Sequence, residues 1–272
     1  MRLRKKNLSN FAPMIHPVKT HHFIKALFLF FCFITLAFAG NIDDLLQKAD
    51  HARKAYKDMD AIGYYQQILQ MDSNNLQALW NTSFVYQRLG WLEQDKEVKR
   101  RLYENALLYA NKVYKKYPGT YEANIVMAGG TARMSEFLSA KERVHAAWDI
   151  KKHGDAAFSI HPDNPEVWYL LGWLNFELSK ATWVERSVAS LLFGGLPGGM
   201  SFEKGILYLR KANELKPDCI VYLYDLATFY ERTEDTATAI GLVKKALSIT
   251  AVAPEDFLYQ KKCENLLTRL DS

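Results

Sequence analysis

Apolar residues after Gly40 recur at three- and four-residue intervals, the spacing of one face of an α-helix. Polar and charged residues occupy the intervening positions, so each segment has one face suited to a core and one suited to solvent. The prolines of this region stand mostly at the boundaries of the segments: Pro118, Pro162, Pro165, Pro197, Pro217 and Pro254. Because proline disrupts a helix interior, this arrangement predicts an all-α protein made of many helices.

The helical segments form an internal repeat. Pro118, Pro162 and Pro217 each precede a fresh helical pattern, at intervals of 44 and 55 residues. A pair of amphipathic helices cannot bury its apolar face alone, so repeated pairs are expected to stack on one another. The final segment, Glu255 to Leu270, has the same spacing and is predicted to cap the open end of the stack.

The repeats match a known pattern. Trp168, Leu171 and Gly172 have the spacing of the first helix of a tetratricopeptide repeat. The last repeat also matches the second helix, and its matching residues are Leu223, Leu226, Ala227 and Tyr230, then Ala239, Val243 and Ala246. Residues 40–272 therefore resemble the tetratricopeptide superfamily. The resemblance implies a right-handed superhelix of about five helical hairpins followed by a capping helix.

This chain differs from the standard repeat in two ways: it has small residues where helices are expected to meet, and its repeats are longer. Ala128, Gly172 and Ala227 are predicted to let the helices of a pair approach closely. The intervals between the prolines exceed the usual repeat length of about 34 residues. In the second and third repeats the extra residues are charged and helical in pattern, which predicts longer helices. In the fourth they form an apolar insert, residues 181–201, with two glycine pairs around Pro197.

The insert narrows the resemblance. A Phe-Gly…Leu-Pro segment precedes an amphipathic helix that ends in Glu-Leu-x-Pro, and another helical pair and a terminal helix follow. This order is similar to that of the regulator-of-microtubule-dynamics family. It is also similar to the periplasmic tetratricopeptide component of bacterial TRAP-type uptake systems. The two groups imply the same fold, but one implies a role related to microtubules and the other a role in bacterial uptake.

Residues 1–39 have a different pattern, with six basic residues, no acid, and an apolar run from Ala26 to Ala39. A run of about 14 residues suits the core of a signal peptide and is short for a helix that spans a membrane. The small residues Ala37 and Ala39 fit cleavage before Gly40. We expect a signal peptide, or an N-terminal anchor that would be the one point of membrane contact. The mature protein is then expected to be exported, periplasmic or secreted, which favours the bacterial group.

The charge of the remaining chain argues against nucleic acid as a partner. Without the six cations of residues 1–39, 29 of the 35 basic residues remain against 30 acidic residues, a net charge of −1. Binding to a phosphate backbone requires a basic surface, and the overall charge provides none.

The superfamily lines a concave groove with its first helices, and that geometry can be carried over by position. The predicted groove residues are Trp80, Phe84, Ile125, Tyr169, Trp173, Phe176, Tyr224 and Thr228. This set is apolar and aromatic, whereas peptide-carboxylate grooves of the superfamily carry lysine, arginine and asparagine. The expected occupant is therefore an apolar surface of another protein or an apolar small ligand.

The insert leaves two alternatives open. In one, the insert folds back and fills the groove with its own apolar side chains, so that the groove is simply core. In the other, it is a flap over a groove that holds a ligand or a partner helix, with the glycines as hinges. The side chains concerned are Trp183, Leu191, Leu192, Phe193 and Leu196.

The sequence contains no recognisable catalytic cluster. His145, His153 and His161 recur every eight residues and lack a metal-ligand spacing, so surface or capping roles are favoured and neither a metal nor a cofactor is expected. We therefore predict a non-catalytic, exported scaffold that binds another protein in the cell envelope. The alternative is a periplasmic binder of an apolar small molecule or lipid, linked to an uptake system.

Overall fold

The computed structural model describes residues 41–271, which are mostly helical and contain no β-strand. In chain order the α-helices are α1 (41–54), α2 (Asp58–Met71), α3 (Leu76–Leu92), α4 (Lys96–Lys116), α5 (Tyr121–Met134), α6 (Ala140–Ile160), α7 (Pro165–Ser179), α8 (Trp183–Phe193), α9 (Phe202–Leu215), α10 (Ile220–Arg232), α11 (Thr236–Ser248) and α12 (Pro254–Leu270). A turn of 3-10 helix, Ser135–Phe137, follows α5. The predicted all-α class is confirmed.

Short polar side chains begin most of these helices. Each accepts a hydrogen bond from a backbone N–H of the first helical turn, which otherwise has no partner within the helix. The capping residues are Asn75, Asp95, Thr120, Ser139, Asn164, Thr182, Ser201 and Asp235. Pro165 and Pro254 occupy first helical positions, where their missing N–H costs nothing. The boundaries inferred from proline therefore coincide with helix starts.

The helices form the predicted hairpins. Helix α3 packs on α4, α5 on α6, and α10 on α11, while α7 pairs with α9 across the insert. Helices α1 and α2 stand where the first hairpin was predicted, and α12 packs on α10 and α11 at the end of the stack. The extra residues of the second and third repeats lengthen α4 and α6 to 21 residues each. The tetratricopeptide-like solenoid with a capping helix is confirmed.

Two glycines let α7 and α9 cross at backbone contact. A Cβ on Gly172 would lie 3.1 Å from the backbone nitrogen of Leu209 and 3.3 Å from the carbonyl oxygen of Gly205. A Cβ on Gly205 would lie 2.8 Å from the ring of Phe229 and 3.3 Å from the carbonyl oxygen of Gly172. The expected close approach at Gly172 is therefore present, and Gly205 is its counterpart.

A buried ion pair joins the first hairpin to the second. The guanidinium of Arg88 on α3 bonds both carboxylate oxygens of Asp58 on α2, and 8% of Arg88 and 7% of Asp58 remain exposed. Arg88 also donates to the carbonyl of Arg53 at 3.3 Å. Because removing one partner would leave the other charge buried, this pair fixes the contact between the two hairpins.

The insert forms α8, which lies against α6. Glu185 accepts a 2.7 Å hydrogen bond from Arg143, and Phe193 stacks on Trp148 with ring centroids 5.9 Å apart. Gly194 ends the helix with a φ of 72°, a left-handed conformation that suits glycine. The other face of α8 is open: Trp183 is 78% exposed, Leu191 85% and Leu192 45%. These three side chains therefore do not fill a groove, while Phe193 packs on α6.

The described residues belong mainly to one compact unit that begins at Leu45. The expected signal peptide or anchor, residues 1–39, lies outside the described residues. Among the helices at 41–271, none is both long enough and apolar enough to cross a membrane.

We expect Gly172→Ala to lower the free energy of unfolding by about 1–3 kcal/mol, because backbone atoms oppose the added methyl group and cannot move aside. Gly241→Ala is the matched control: this glycine is in α11 and has open space around its Cβ position. There the substitution should raise stability by roughly 0.5–1 kcal/mol. Urea denaturation followed by circular dichroism measures both, and equal effects would contradict the close crossing.

Candidate functional site

The structure distributes the predicted groove residues over several places. Trp80 and Phe84 contact each other edge to face, with centroids 6.4 Å apart. Ile125 packs among the core side chains that join α3 to α7. Phe176 stacks on Phe229 at 4.0 Å between centroids and belongs to the core of α7, α9 and α10. Trp80, Ile125 and Phe176 therefore take part in packing between helices, and Phe176 does so in a different core cluster from the other two.

Tyr169 and Tyr224 belong to a second group, which we term the inner cluster. Its members come from the first helices of four successive hairpins and from α12. They are Trp91 on α3, Arg133 on α5, Tyr169 on α7, Tyr224 and Asp225 on α10, and Tyr259 and Lys262 on α12.

Two aromatic rings in contact lie between two cations in the inner cluster. The guanidinium carbon of Arg133 lies 4.1 Å from the centroid of the Trp91 ring. Trp91 contacts Tyr259 edge to face at 5.3 Å. The ammonium of Lys262 lies 4.1 Å from the centroid of the Tyr259 ring. Each cation over a ring contributes on the order of 0.5–1 kcal/mol, so this row links α5, α3 and α12.

Asp225 is the acidic member of the inner cluster. Its carboxylate accepts a 2.7 Å hydrogen bond from the hydroxyl of Tyr169. Burial raises the pKa of Asp225 to about 6, because a charged carboxylate is poorly solvated there. The hydrogen bond from Tyr169 and the charges of Lys262 and Arg133 oppose that rise. Burial and the neighbouring carboxylate also raise the pKa of Tyr169, so its hydroxyl keeps its proton and donates.

The inner cluster closes the stack. The contact of Trp91 with Tyr259 joins the second hairpin to the capping helix. Arg269 of α12 binds Glu231 of α10 through two hydrogen bonds, of 2.8 and 3.1 Å. Helix α12 therefore caps the last hairpin, and its Tyr259 contacts Tyr224, one of the predicted groove residues.

Trp173 and Leu196 line a separate cleft between α6, α7 and the insert. Its volume is about 160 Å³. Its walls are mainly apolar, and its other lining residues include Val144, Ala147, Ile150, Leu174 and Leu178. Two ion pairs stand at its edge, Arg143 with Glu185 and Lys180 with Glu177. An engineered cavity of about 150 Å³ holds one benzene molecule, so this cleft suits one apolar ring or branched side chain.

The three histidines lie apart. His153 is buried, and its Nδ1 lies 2.9 Å from the amide oxygen of Asn124. His145 packs on Phe193 of the insert, and His161 packs on Tyr121. Within residues 41–271, no group of three or more histidine, cysteine, aspartate or glutamate side chains is placed to hold a metal ion.

The sequence analysis missed Trp91, Asp225, Tyr259 and Lys262. One signal was present: Asp225 is the lone acid within the apolar stretch Ile220 to Tyr230. An isolated acid on the inward side of an apolar helix indicates a specific partner, because an unpaired buried charge is costly. The contact of Trp91 with Tyr259 had no such signal, since more than half of the chain separates the two residues.

Comparisons with known proteins agree with the fold. The family model described as "Regulator of microtubule dynamics protein 1-3" matches residues 45–271. Regulator of microtubule dynamics protein 2 of Homo sapiens is 24% identical over 233 residues, which cover 85% of this chain and 56% of that protein. Protein 1 of Mus musculus is 24% identical over 234 residues, which cover 85% of this chain and 75% of that protein. The chain thus spans a little over half the length of the first of these relatives.

Solved structures show the same architecture. A thermophilic TPR protein in Thermus thermophilus has a TM-score of 0.59 at 15% identity, over 84% of this chain and 99% of that chain. Pseudomonas aeruginosa pilF has a TM-score of 0.51 at 11% identity, over 86% of this chain and 88% of that chain. At these identities the likeness establishes the tetratricopeptide fold alone.

The predicted location is wrong. An exported, periplasmic or secreted protein was expected from residues 1–39, and the bacterial uptake group was favoured for that reason. The family that matches has eukaryotic members named as regulators of microtubule dynamics, which contradicts the bacterial, exported assignment. A basic segment followed by an apolar run is a compositional pattern, and composition alone did not identify the compartment.

We expect Trp91→Ala to lower the free energy of unfolding by about 2 kcal/mol, because it removes the ring between Arg133 and Tyr259. Amide hydrogen exchange in α12 should speed up more than exchange in α6. Trp183→Ala, at a ring that is 78% exposed, is the control and should change neither quantity. Unchanged exchange in α12 of the Trp91 variant would contradict the closure.

Asp225→Asn should stabilise the protein at pH 7–8 by roughly 1–3 kcal/mol, since the raised pKa makes the charged form unfavourable in the folded state. The folded state holds this proton more tightly than the unfolded state. Stability should therefore fall as pH rises from about 4 to 6 and stay low above that range. Thermal unfolding between pH 4 and pH 8 should show a shallower decline for the Asn variant, and an unchanged slope would contradict this role.

Proposed function

The chain belongs to the family of regulators of microtubule dynamics, proteins 1 to 3, and on that basis we propose that it is a non-catalytic scaffold that binds another protein. The stacked hairpins support this proposal, because such solenoids present extended surfaces held rigidly by their neighbours. The observation that carries it furthest is the cleft between α6, α7 and the insert.

The cleft has the features of an anchor site for a partner. Trp173, Leu174 and Leu196 offer apolar walls, and the volume of about 160 Å³ fits a single bulky apolar side chain. The ion pairs of Arg143 with Glu185 and of Lys180 with Glu177 form a polar edge. An apolar pocket surrounded by polar groups is typical of the energetic centre of a protein interface. The proposed partner therefore inserts a leucine or an aromatic residue here.

The family relationship suggests the cellular process in which this scaffold acts. The relatives are named as regulators of microtubule dynamics, and we extend that role to this chain as part of the proposal. The shared region supports the extension, since it covers nearly all of the solenoid. The relatives are longer than the matched region, so the proposed contribution of this solenoid is the binding of a partner and not the whole regulatory activity.

The alternative function is binding of an apolar small molecule, and it can be tested without assuming a link to an uptake system. A drug-sized ligand occupies roughly 300–1,000 Å³, whereas the cleft has about 160 Å³. The cleft would hold one ring or a short alkyl segment of such a molecule. Native mass spectrometry of the purified full chain would reveal a bound apolar molecule through its added mass.

Leu196→Glu should weaken capture of the partner at least tenfold, because it places a charge in the apolar cleft. The measurement is quantitative cross-linking mass spectrometry on cells that express the full chain, followed by titration of the purified partner. Leu108→Glu is the matched control, at a leucine of α4 that is 51% exposed and far from the cleft in sequence. Equal capture by both variants would reject the cleft as the anchor site.

The microtubule setting is tested separately. The full chain is added to purified tubulin, with and without the identified partner, and growth and shrinkage rates are followed by microscopy. A change that requires the partner and is lost with Leu196→Glu is expected. Unchanged rates under all conditions would remove the microtubule role and leave the scaffold proposal intact.

A further inference from the structure

The inner cluster gathers more positive than negative charge. Arg133 of α5, Lys262 of α12 and Lys99 of α4 are all partly buried. Burial lowers the pKa of Lys262, and the charges of Arg133 and Lys99 lower it further, while Asp225 opposes them. The three cations are therefore close enough to repel one another. Like charges held together in a partly enclosed place cost stability, and a bound anion would remove that cost.

The acids around the cluster do not pair with these cations. None of the ion pairs formed within residues 41–271 includes any of the three. The carboxylate of Asp225 accepts its hydrogen bond from Tyr169 instead. The other acid whose charge acts on Asp225 is Glu177, which is paired with Lys180. The positive charge of the cluster is therefore available to an external anion.

Aromatic rings hold two of the cations in position. The guanidinium of Arg133 lies over the ring of Trp91. The ammonium of Lys262 lies 4.1 Å from the centroid of the Tyr259 ring and 5.8 Å from that of Tyr224. A cation that lies over a ring keeps its N–H groups free to donate to an anion. The donors are thus ordered before a ligand arrives, which reduces the entropy lost on binding.

The arrangement favours an acidic peptide over other anions. Because Arg133 and Lys262 lie over different rings, a chain that carries several carboxylates can bind each of them. The methylene groups of glutamate side chains can pack on Trp91 and Tyr224, which are partly exposed. Nucleic acid requires a broad basic surface, and residues 40–272 have a net charge of −1. A membrane attracts cations that protrude from the protein, whereas these are partly buried.

From these observations we propose that the inner cluster binds an acidic segment of a partner protein, with Arg133, Lys262 and Lys99 bonding the carboxylates of its side chains. The sequence analysis expected an apolar occupant because it considered the first helices of the hairpins, whereas Lys262 comes from the capping helix. The lining of the anchor cleft contains none of the three cations. The two surfaces are therefore separate, and each can be tested without the other.

The experiment titrates the full chain into a fluorescent, acetylated and amidated peptide of about eight glutamates and follows its anisotropy. Lys262→Gln should weaken binding at least fivefold, because a charge-assisted hydrogen bond is lost. Lys112→Gln is the matched control, at a cation 4.8 Å from the ring of Tyr109 on α4, and should bind like the parent. Leu196→Glu, which alters the cleft, should also bind like the parent. A peptide of glutamines should not bind.

A second variant separates binding from stability. Asp225→Asn should tighten binding at least threefold near pH 7.5, because it removes the carboxylate that competes with the ligand for the cations. This substitution is expected to stabilise the fold, so the gain cannot arise from unfolding.

Three results would each overturn the proposal. The first is equal binding of the glutamine peptide. The second is unchanged affinity in Lys262→Gln, which would assign the peptide to the six cations of residues 1–39. The third is binding of phosphatidylserine–phosphatidylcholine vesicles, in place of the peptide, that Lys262→Gln abolishes.

Discussion

No helical hairpin of this chain can bury its apolar face by itself, and the rest of the structure follows from that constraint. Each hairpin uses its neighbours as the missing half of its core, as Ile125 shows by packing in the core clusters that join α3 to α7. The stack then has an open end, which α12 covers. Through Tyr259, the same helix that caps the stack also contacts Trp91 of the second hairpin.

The insert shows how an added segment is accommodated without breaking the repeat. Gly172 and Gly205 let α7 and α9 cross at backbone contact, so the fourth hairpin forms despite the residues between them. The insert then has to lie outside this tight crossing, and it packs on α6 through Glu185 and Phe193. A cleft remains between α6, α7 and the insert, and an apolar face remains on α8. The proposed anchor cleft and the exposed face of α8 are thus consequences of one insertion.

The surroundings of Tyr169 and Tyr224 are more polar than the sequence analysis predicted for the groove. Tyr169 and Tyr224 were predicted as apolar groove residues, yet Tyr169 binds Asp225, and cations lie over the neighbouring rings. Phe176, predicted for the same groove, stacks on Phe229 inside the hairpin core. A match to a repeat pattern assigns a residue to the first helix of a hairpin. It does not decide whether its ring turns toward the groove, toward the second helix or toward the next repeat.

The sequence by itself determined the helices, their caps, the repeat and the solenoid, because these depend on local periodicity and on proline and glycine at particular positions. It also indicated the small residues at the close helix crossing, such as Gly172. Only the tertiary structure decided that Trp91 meets Tyr259, that α8 lies on α6, and that Trp173 lines the cleft beside the insert. Those contacts depend on the curvature of the stack and on the path of the insert. Both result from small contributions of many residues, so no single stretch of sequence predicts them.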